Sequence, residues 1–286
     1  MGYPSIALPS ELEGLQLIAS VSGGKDSTAL MLALRENGLP FKAVFADTGW
    51  EAPETYAYLD LLRTHIGPID VVGVEGGMET KVRARKAFPS RVARWCTEEL
   101  KMQPLRKYHD VIEATGIETV NVVGVRASES AARAVLSELE DEPIGHRSWG
   151  GWVWRPLLQW TIADVLKIHN AHQVPVNPLY QKGMDRVGCY PCIYANKEQV
   201  KALVMTDPKR IEYIAGLEAE LTASRDDGAS VTFFQSRNGA RGIEEVATWS
   251  RTSRGGKQLP LLDDPPRGGC MRWGLCDMPA EPSDED

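Results

Sequence analysis

Residues 15–28 read LQLIASVSGGKDST, and this stretch decides the fold. Residues 15–20 are a short apolar run, a strand candidate, that ends at Ser22, Gly23 and Gly24. Residues 26–37 follow as a helix candidate, with Ala29, Leu30, Leu32, Ala33 and Leu34 as its apolar positions and Gly38 as its stop. Two glycines between a strand and a helix let the backbone turn tightly and approach a ligand closely. The helix start turns free N–H groups and its positive dipole end toward the loop. Lys25 adds a full positive charge, and Ser22, Ser27 and Thr28 add hydroxyls. The stretch is read as a phosphate cradle, with Ser20, Ser22, Gly23, Gly24, Lys25, Asp26, Ser27 and Thr28 as binding candidates. It lacks the G-x-x-x-x-G-K-[ST] spacing of a Walker A loop.

The same alternation continues outward. Residues 41–46, 69–74 and 119–125 are strand candidates; residues 52–66, 78–87 and 97–115 are helix candidates, the last broken or begun near Pro104. Strands alternating with helices at this spacing predict an α/β fold, a Rossmann-like open parallel sheet with helices on both faces. After Ala134 the pattern changes. Residues 138–142 read as an acidic loop, and Trp149, Trp152, Trp154 and Trp160 crowd together, more as packing than as base-stacking platforms. Residues 161–170, 196–205 and 208–223 read as helices, 174–186 as loop, and the chain from Ser224 as loosely structured. The expected organisation is a nucleotide-binding α/β domain over 1–175, a helical, cysteine-bearing extension over 176–278 and an acidic tail over 279–286.

Composition narrows the class. Of 286 residues, 43% are hydrophobic and 25% charged, which excludes wholesale disorder. No apolar run approaches the roughly 18 residues of a membrane helix. The first residues carry Glu11 and Glu13 and no basic segment, so a secretory signal is not expected and a cytoplasmic location is. The formal charge is −7, so a generic polyanion binder is not implied. Residues 81–94, KVRARKAFPSRVAR, are the exception, with six basic residues and no acidic one. They read either as a solvated helix face or as an anion-facing surface. Five cysteines, Cys96, Cys189, Cys192, Cys270 and Cys276, are an odd number in a chain read as cytosolic. Metal binding or redox chemistry is therefore expected before a disulfide framework.

Ser22 to Ser27, S-G-G-K-D-S, resembles the PP-loop of N-type ATP pyrophosphatases. Residues 45–55, FADTGWEAPET, resemble the DTGxExPET segment of the phosphoadenosine phosphosulfate (PAPS) reductase family, within the same adenine nucleotide alpha hydrolase-like superfamily. The resemblance places Asp47, Thr48 and Gly49 at the nucleotide, beyond the carboxyl end of a strand. Residues 124–133, GVRASESAAR, and 154–165, with Arg155-Pro156-Leu157 and Trp160-Thr161, resemble two further family segments. They imply Arg126 and Arg133, and secondarily Arg155, as anion-binding forks. An ion pair of these arginines with Glu129 or another acid is the structural alternative. The segments around Cys96 (RWCT..LK..P) and around Cys189 and Cys192 (NPLY..G..R.GC.PC) are similar to family segments that hold a [4Fe–4S] cluster. A cubane wants four ligands. Cys96, Cys189 and Cys192 supply three, Cys276 is the first choice for the fourth and Cys270 the second, with zinc as the alternative metal. Cluster-bearing reductases use a tandem Cys-Cys at the first position; here Thr97 follows Cys96.

Two departures from a sulfonucleotide reductase matter. The phosphate loop is intact, and no ECGLH-like motif follows at the C-terminus, which reads Trp273-Gly274-Leu275-Cys276-Asp277. The resemblance then implies the ATP-using, iron–sulfur, DndC-type sulfurtransferase branch. ATP would be cleaved between its α and β phosphates with Mg²⁺, an acceptor adenylylated, and sulfur transferred with help from the cluster, as in DNA phosphorothioation or RNA thiolation. Lys25, Asp26, Arg126 and Arg133 are the catalytic candidates, Asp26 either as a Mg²⁺ ligand or as the group that orients Lys25. Partners on this reading are a nucleic-acid acceptor, a cysteine desulfurase or thiol reductant, and a second copy of the chain, with no membrane. A PAPS or adenylyl sulfate reductase is the second reading, and a non-catalytic nucleotide- and cluster-binding sensor the third.

Overall fold

The computed structural model describes residues 2–143, 149–234 and 241–252. Its six strands are β1 (Gln16–Val21), β2 (Phe41–Asp47), β3 (Ile69–Gly73), β4 (Thr119–Val123), β5 (Leu139–Glu142) and β6 (Gly151–Trp154). They form one sheet in the order β3-β2-β1-β4-β6-β5, parallel except for β5 at its edge. Around β1 the register sets Ser20 beside Val44 of β2 and Val123 of β4. Both neighbours of β1 are parallel, so its side chains are covered on both faces. That is why it is apolar without alternation.

The two faces carry different helices. On one, Leu17, Ala19 and Val21 pack with α1 (Lys25–Glu36), α2 (Pro53–His65) and α7 (Ile162–Ala171). On the other, Ile18, Val44 and Val123 pack with Leu105 of α5 (Gln103–Glu113). The segment read as one helix over 97–115 is composite. A turn, α4 (Trp95–Thr97), runs through a π-turn at Glu98–Met102 into α5, and Pro104, which has no N–H to give the preceding turn, falls at that junction. α3 (Gly77–Arg85) and the short α6 (Ala131–Ala134) complete this half.

A second core holds the C-terminal half. α8 (Lys197–Thr206), α9 (Pro208–Ala223) and α10 (Ile243–Ser250) pack Leu203, Leu217 and Val246 against Trp50, Met78, Val82 and Leu100. These helices therefore share a core with loops and helices of the sheet half. Within the region read as loosely structured, α10 is a formed helix. It is held by Glu218, whose carboxylate accepts from the backbone N–H of Ile243 (3.0 Å) and of Phe233 (2.6 Å). The acidic segment read as a loop is strand β5. Trp149, Trp154 and Trp160 are buried core residues. Among the described residues no helix is long and apolar enough to cross a membrane.

Candidate active site

The phosphate loop leaves β1 at Ser22 and enters α1 at Lys25. Gly23 has φ +75°, and a Cβ there would meet Thr55 Cγ2 at 2.9 Å, so the loop and the start of α2 are fitted against each other. The loop's hydroxyls hold it to itself. Ser27 Oγ accepts from Ser22 N–H (3.2 Å) and donates to Gly24 O (3.0 Å), and Thr28 Oγ1 also donates to Gly24 O (3.1 Å). Ser20, read as a binding candidate, is buried and donates to Asn121 Oδ1 (2.8 Å) within the sheet. Of the first-turn backbone N–H groups, that of Lys25 donates to Tyr180 Oη (3.1 Å), so those of Asp26 and Ser27 are the donors an anion could meet.

Asp26 lies under the loop, fully buried, with Lys25 Nζ at 2.7 Å from one carboxylate oxygen and Arg126 Nε at 2.6 Å from the other. Burial alone would raise its pKa, but Lys25 and Arg126 together hold it below the ordinary value of 3.8. Asp26 is thus an ionised brace between two cations. Arg126 also donates to Ser128 Oγ (2.9 Å), and its backbone N–H donates to Glu129 (2.8 Å), which in turn pairs with the buried Arg133. The turn that carries Arg126 is pressed onto α1. A Cβ on Gly124 would lie 2.7 Å from Asp26 O and 2.9 Å from its carbonyl carbon. Gly124→Ala should therefore push the Arg126 turn off α1, lowering stability by about 1–3 kcal/mol. Thermal unfolding of the variant checks this.

Arg155, read as a phosphate contact, is fully buried and takes another role. It donates to Ser137 O (2.9 Å) and pairs with Glu140 and Glu142, each at 3.1 Å. It braces β5 against β6, and the acids of β5 are its counterions.

The second motif is a braced loop. Asp47 Oδ1 accepts from Gly49 N–H and from Tyr56 Oη–H, both at 2.8 Å. Thr48 Oγ1 donates to Glu51 (2.7 Å), and the N–H groups of Thr48 and Trp50 donate to the same carboxylate (3.1 Å each). Glu51 is buried, which raises its pKa despite nearby Lys101.

This loop is tied directly to the cysteines. Tyr190 N–H donates to Trp50 O (2.8 Å), and Trp50 Nε1–H donates to Pro191 O (3.1 Å). A β-bridge pairs Glu51 with Cys189, and Thr48 Oγ1 lies 4.0 Å from Cys189 Sγ. Cys96, Cys189 and Cys192 are free and partly buried. Burial, with the other two sulfurs, pushes the Cys96 thiol up to about 12. Burial pushes Cys189 up to about 11, against the pull of Lys101. Burial also acts upward on Cys192, but Arg186, the Tyr194 backbone N–H, Lys101 and Arg94 outweigh it and lower the pKa. Lys101 is buried, yet the three sulfurs and Glu51 raise its pKa. Lys101, Glu51, Ser22 and Gly188 line one small cavity that lies between the phosphate loop and the cysteines.

Three thiols amid Lys101, Arg94 and Arg186 suit a negatively charged, thiolate-held iron–sulfur group in donor type and surrounding charge. Among the described residues no three His, Cys, Asp or Glu side chains are gathered closely enough to hold a metal ion as they stand. Cys270 and Cys276, the proposed sources of a fourth ligand, lie outside the described residues.

The structure thus brings together Lys25, Asp26 and Arg126, and separately Thr48, Cys96, Cys189 and Cys192. It adds Lys101, Glu51, Trp50, Asn177 and Tyr180, to which the sequence assigned no role. Asn177 Nδ2 donates to Gly23 O (3.1 Å), Lys25 N–H donates to Tyr180 Oη (3.1 Å), and the Lys25 ammonium sits 5.2 Å from the Tyr180 ring centre. Lys101 and the Asn-Pro-Leu-Tyr run stand in the quoted family segments, which was the available signal. The basic stretch is largely neutralised. Lys81 and Arg85 pair with Glu99, Arg83 with Glu79 and Glu220, and Lys86 lies near Asp226. Arg91 and Arg94 stack over Tyr194.

A parallel sheet with an S-G-G-K-D-S loop at the carboxyl end of its central strand defines a PP-loop protein of the adenine nucleotide alpha hydrolase-like superfamily. Residues 16–195 match the phosphoadenosine phosphosulfate reductase domain, and the chain belongs to that family. It is 34% identical to an uncharacterized 37.8 kDa protein of Escherichia phage 186, over 86% of this chain and 91% of that one. It is 27% identical to the adenosine 5′-phosphosulfate reductase of Allochromatium vinosum, over 63% of this chain and 68% of that one. The PAPS reductase of Candida auris, solved as a phosphate complex, aligns over 65% of this chain and 98% of its own, at 20% identity and TM-score 0.47.

Proposed function

We propose that this chain binds an adenine nucleotide with its phosphates on the Ser22–Thr28 loop and cleaves ATP between the α and β phosphates to adenylylate an acceptor. The observation that carries this is Lys25, kept in an intact S-G-G-K-D-S loop and braced by the buried Asp26–Arg126 pair. An acceptor oxygen would attack the α phosphorus. The bond from that phosphorus to the bridging oxygen would break, and its electron pair would leave with pyrophosphate. Lys25 and the first-turn N–H groups of α1 would take up the charge that grows on the leaving group. Both carboxylate oxygens of Asp26 are engaged by cations, so Asp26 does not fit as a Mg²⁺ ligand, and its role is to hold Lys25 and Arg126.

Cys96, Cys189 and Cys192 would hold an iron–sulfur cluster, with a fourth ligand from Cys276 or Cys270, and it would supply the sulfur or electrons of a following transfer. On this reading the acceptor is a nucleic acid, as in a DndC-type sulfurtransferase. Lys101, between the loop and the cysteines, would balance charge on both sides.

The second reading, reduction of PAPS or adenylyl sulfate to sulfite, is favoured by the adenosine 5′-phosphosulfate reductases among the relatives. Protein purified without oxygen, given ATP or ³⁵S-labelled PAPS with a thiol reductant, separates the two. Pyrophosphate and AMP from ATP support adenylylation; sulfite from PAPS with no pyrophosphate from ATP overturns it.

A further inference from the structure

Tyr190 and Pro191 separate Cys189 from Cys192, and their backbone carries three polar groups, because proline has no N–H. Each of the three is held by a residue far away in the chain. Tyr190 N–H donates to Trp50 O (2.8 Å), and Trp50 Nε1–H donates to Pro191 O (3.1 Å). Tyr190 O accepts from Arg210 Nε–H (2.8 Å). Trp50 belongs to the second motif. Arg210 stands in the first turn of α9, beyond residue 195, where the match to the family domain ends.

The two holding residues also hold each other. The guanidinium carbon of Arg210 lies 4.0 Å from the centre of the Trp50 ring and 5.2 Å from that of Tyr213, one turn further along α9. The Trp50 ring stacks in turn on Phe233, with ring centres 6.1 Å apart, and is 1% exposed, so it is fixed in place. Asp207 caps α9 and accepts from the backbone N–H of Arg210 (3.2 Å), which sets where the side chain leaves the helix. A guanidinium is planar and permanently charged. Its face can lie on an indole while its N–H edge meets a carbonyl, a combination that a lysine ammonium lacks.

We propose that Arg210 is a positioning residue for the cysteine site. Stacked on Trp50, it fixes the Tyr190–Pro191 turn and with it the directions of the Cys189 and Cys192 sulfurs, so that helix α9 is part of that site. This deepens the reading of Cys96, Cys189 and Cys192 as the holders of an iron–sulfur cluster and rests on it.

The physical reason is preorganisation. The two sulfurs leave from opposite ends of a two-residue turn, so their separation follows the dihedral angles of that turn. A free turn would lose its conformational freedom when both sulfurs bind one group, and a turn already fixed does not. Arg210 also sets a permanent positive charge one residue from Cys189, where thiolates would gather negative charge. The groups that orient a ligand without touching the metal are worth about tenfold to a hundredfold in metal affinity.

Two measurements on the full chain, purified without oxygen, test this. Both compare wild type with Arg210→Met, which keeps an unbranched side chain over Trp50 without donor or charge, and with Arg210→Lys, which keeps the charge without the plane. The first is hydrogen exchange read by mass spectrometry. In Arg210→Met the peptide that contains Tyr190 should exchange about tenfold faster, with α8 and α10 unchanged, and Arg210→Lys should fall between the two. Unchanged exchange at Tyr190, or a rise spread evenly over α8, α9 and α10, overturns the proposal, because Arg210 would then only pack the helices. The second offers ferrous iron and sulfide to the same proteins and follows the visible absorption of the product as a chelator removes the iron. Loss should be about tenfold faster from Arg210→Met than from wild type; equal rates overturn the proposal. Failure of wild type to take up iron overturns the cluster reading instead, and exchange at Tyr190 still decides whether Arg210 fixes the turn.

Discussion

Lys25→Ala is expected to lower ATP-dependent pyrophosphate release by about a hundredfold to a thousandfold, with ATP binding weakened and the fold kept. The ammonium is held 2.7 Å from Asp26 and over the Tyr180 ring, at the entrance to α1. If ATP is cleaved there as proposed, charge at that position acts mainly on the oxygens that become more negative as the α–β bond breaks, so the turnover step should suffer more than ground-state binding. The alanine variant leaves Asp26 its Arg126 partner, so the buried carboxylate does not become an isolated charge. Steady-state assay of pyrophosphate, with far-UV circular dichroism and thermal unfolding as controls, reads the outcome. Equal pyrophosphate release by wild type and variant would show that the loop does not bind the reacting phosphates.

The loop was readable in the sequence because its signals are local. A strand without alternation, two glycines and a helix start all fall within fourteen residues, and the structure differs from the expected boundaries there by about one residue. What escaped depends on partners distant in the chain. The four residues of β5, Leu-Glu-Asp-Glu, carry no strand pattern, and they are ordered because the buried guanidinium of Arg155 requires Glu140 and Glu142. Helix α10 hides in a region rich in Gly, Arg and Ser; its start is fixed by Glu218, 25 positions before Ile243. Lys101 sits in a helical stretch and would ordinarily be read as solvent-facing, yet it is buried between Glu51 and three sulfurs. The basic run at 81–94 looked uncompensated because Glu99 and Glu220, which pair with three of its cations, lie outside it. The hydroxyls of Ser27 and Thr28 were read as donors to phosphate from composition, whereas both are used to close the loop on Gly24. Residue type gives the capacity to bond; only the fold determines where that capacity is spent.

The same reasoning makes Arg126 the residue whose loss should cost most in stability. Asp26 has no solvent exposure, and its ionised state depends on the two cations against it. Removing the only partner of a buried charge costs about 3–5 kcal/mol. Lys25 stays against Asp26 in Arg126→Ala, so the charge is undercompensated rather than isolated and the loss should be about 2–3 kcal/mol. This is larger than for Lys25→Ala, because Arg126 is the more buried cation and also holds Ser128. Arg126→Ala should show that loss in urea unfolding at neutral pH, together with reduced nucleotide turnover, since the side chain also fixes the Ser128 turn. The pH dependence gives the cause. In wild type the folded pKa of Asp26 lies below its ordinary 3.8, so its contribution is present above that value and lost as pH falls through the folded pKa. In Arg126→Ala burial acts against Lys25 alone and the folded pKa moves upward. Protonation then relieves the variant at a pH where wild type is still ionised. The stability gap should therefore be widest at neutral pH and narrow on acidification. Asp26→Asn in the Arg126→Ala background should recover part of the loss, because it removes the stranded charge while keeping the side chain's shape. A gap that is constant with pH, together with no recovery in the double variant, would mean that Arg126 stabilises the fold through packing rather than through Asp26.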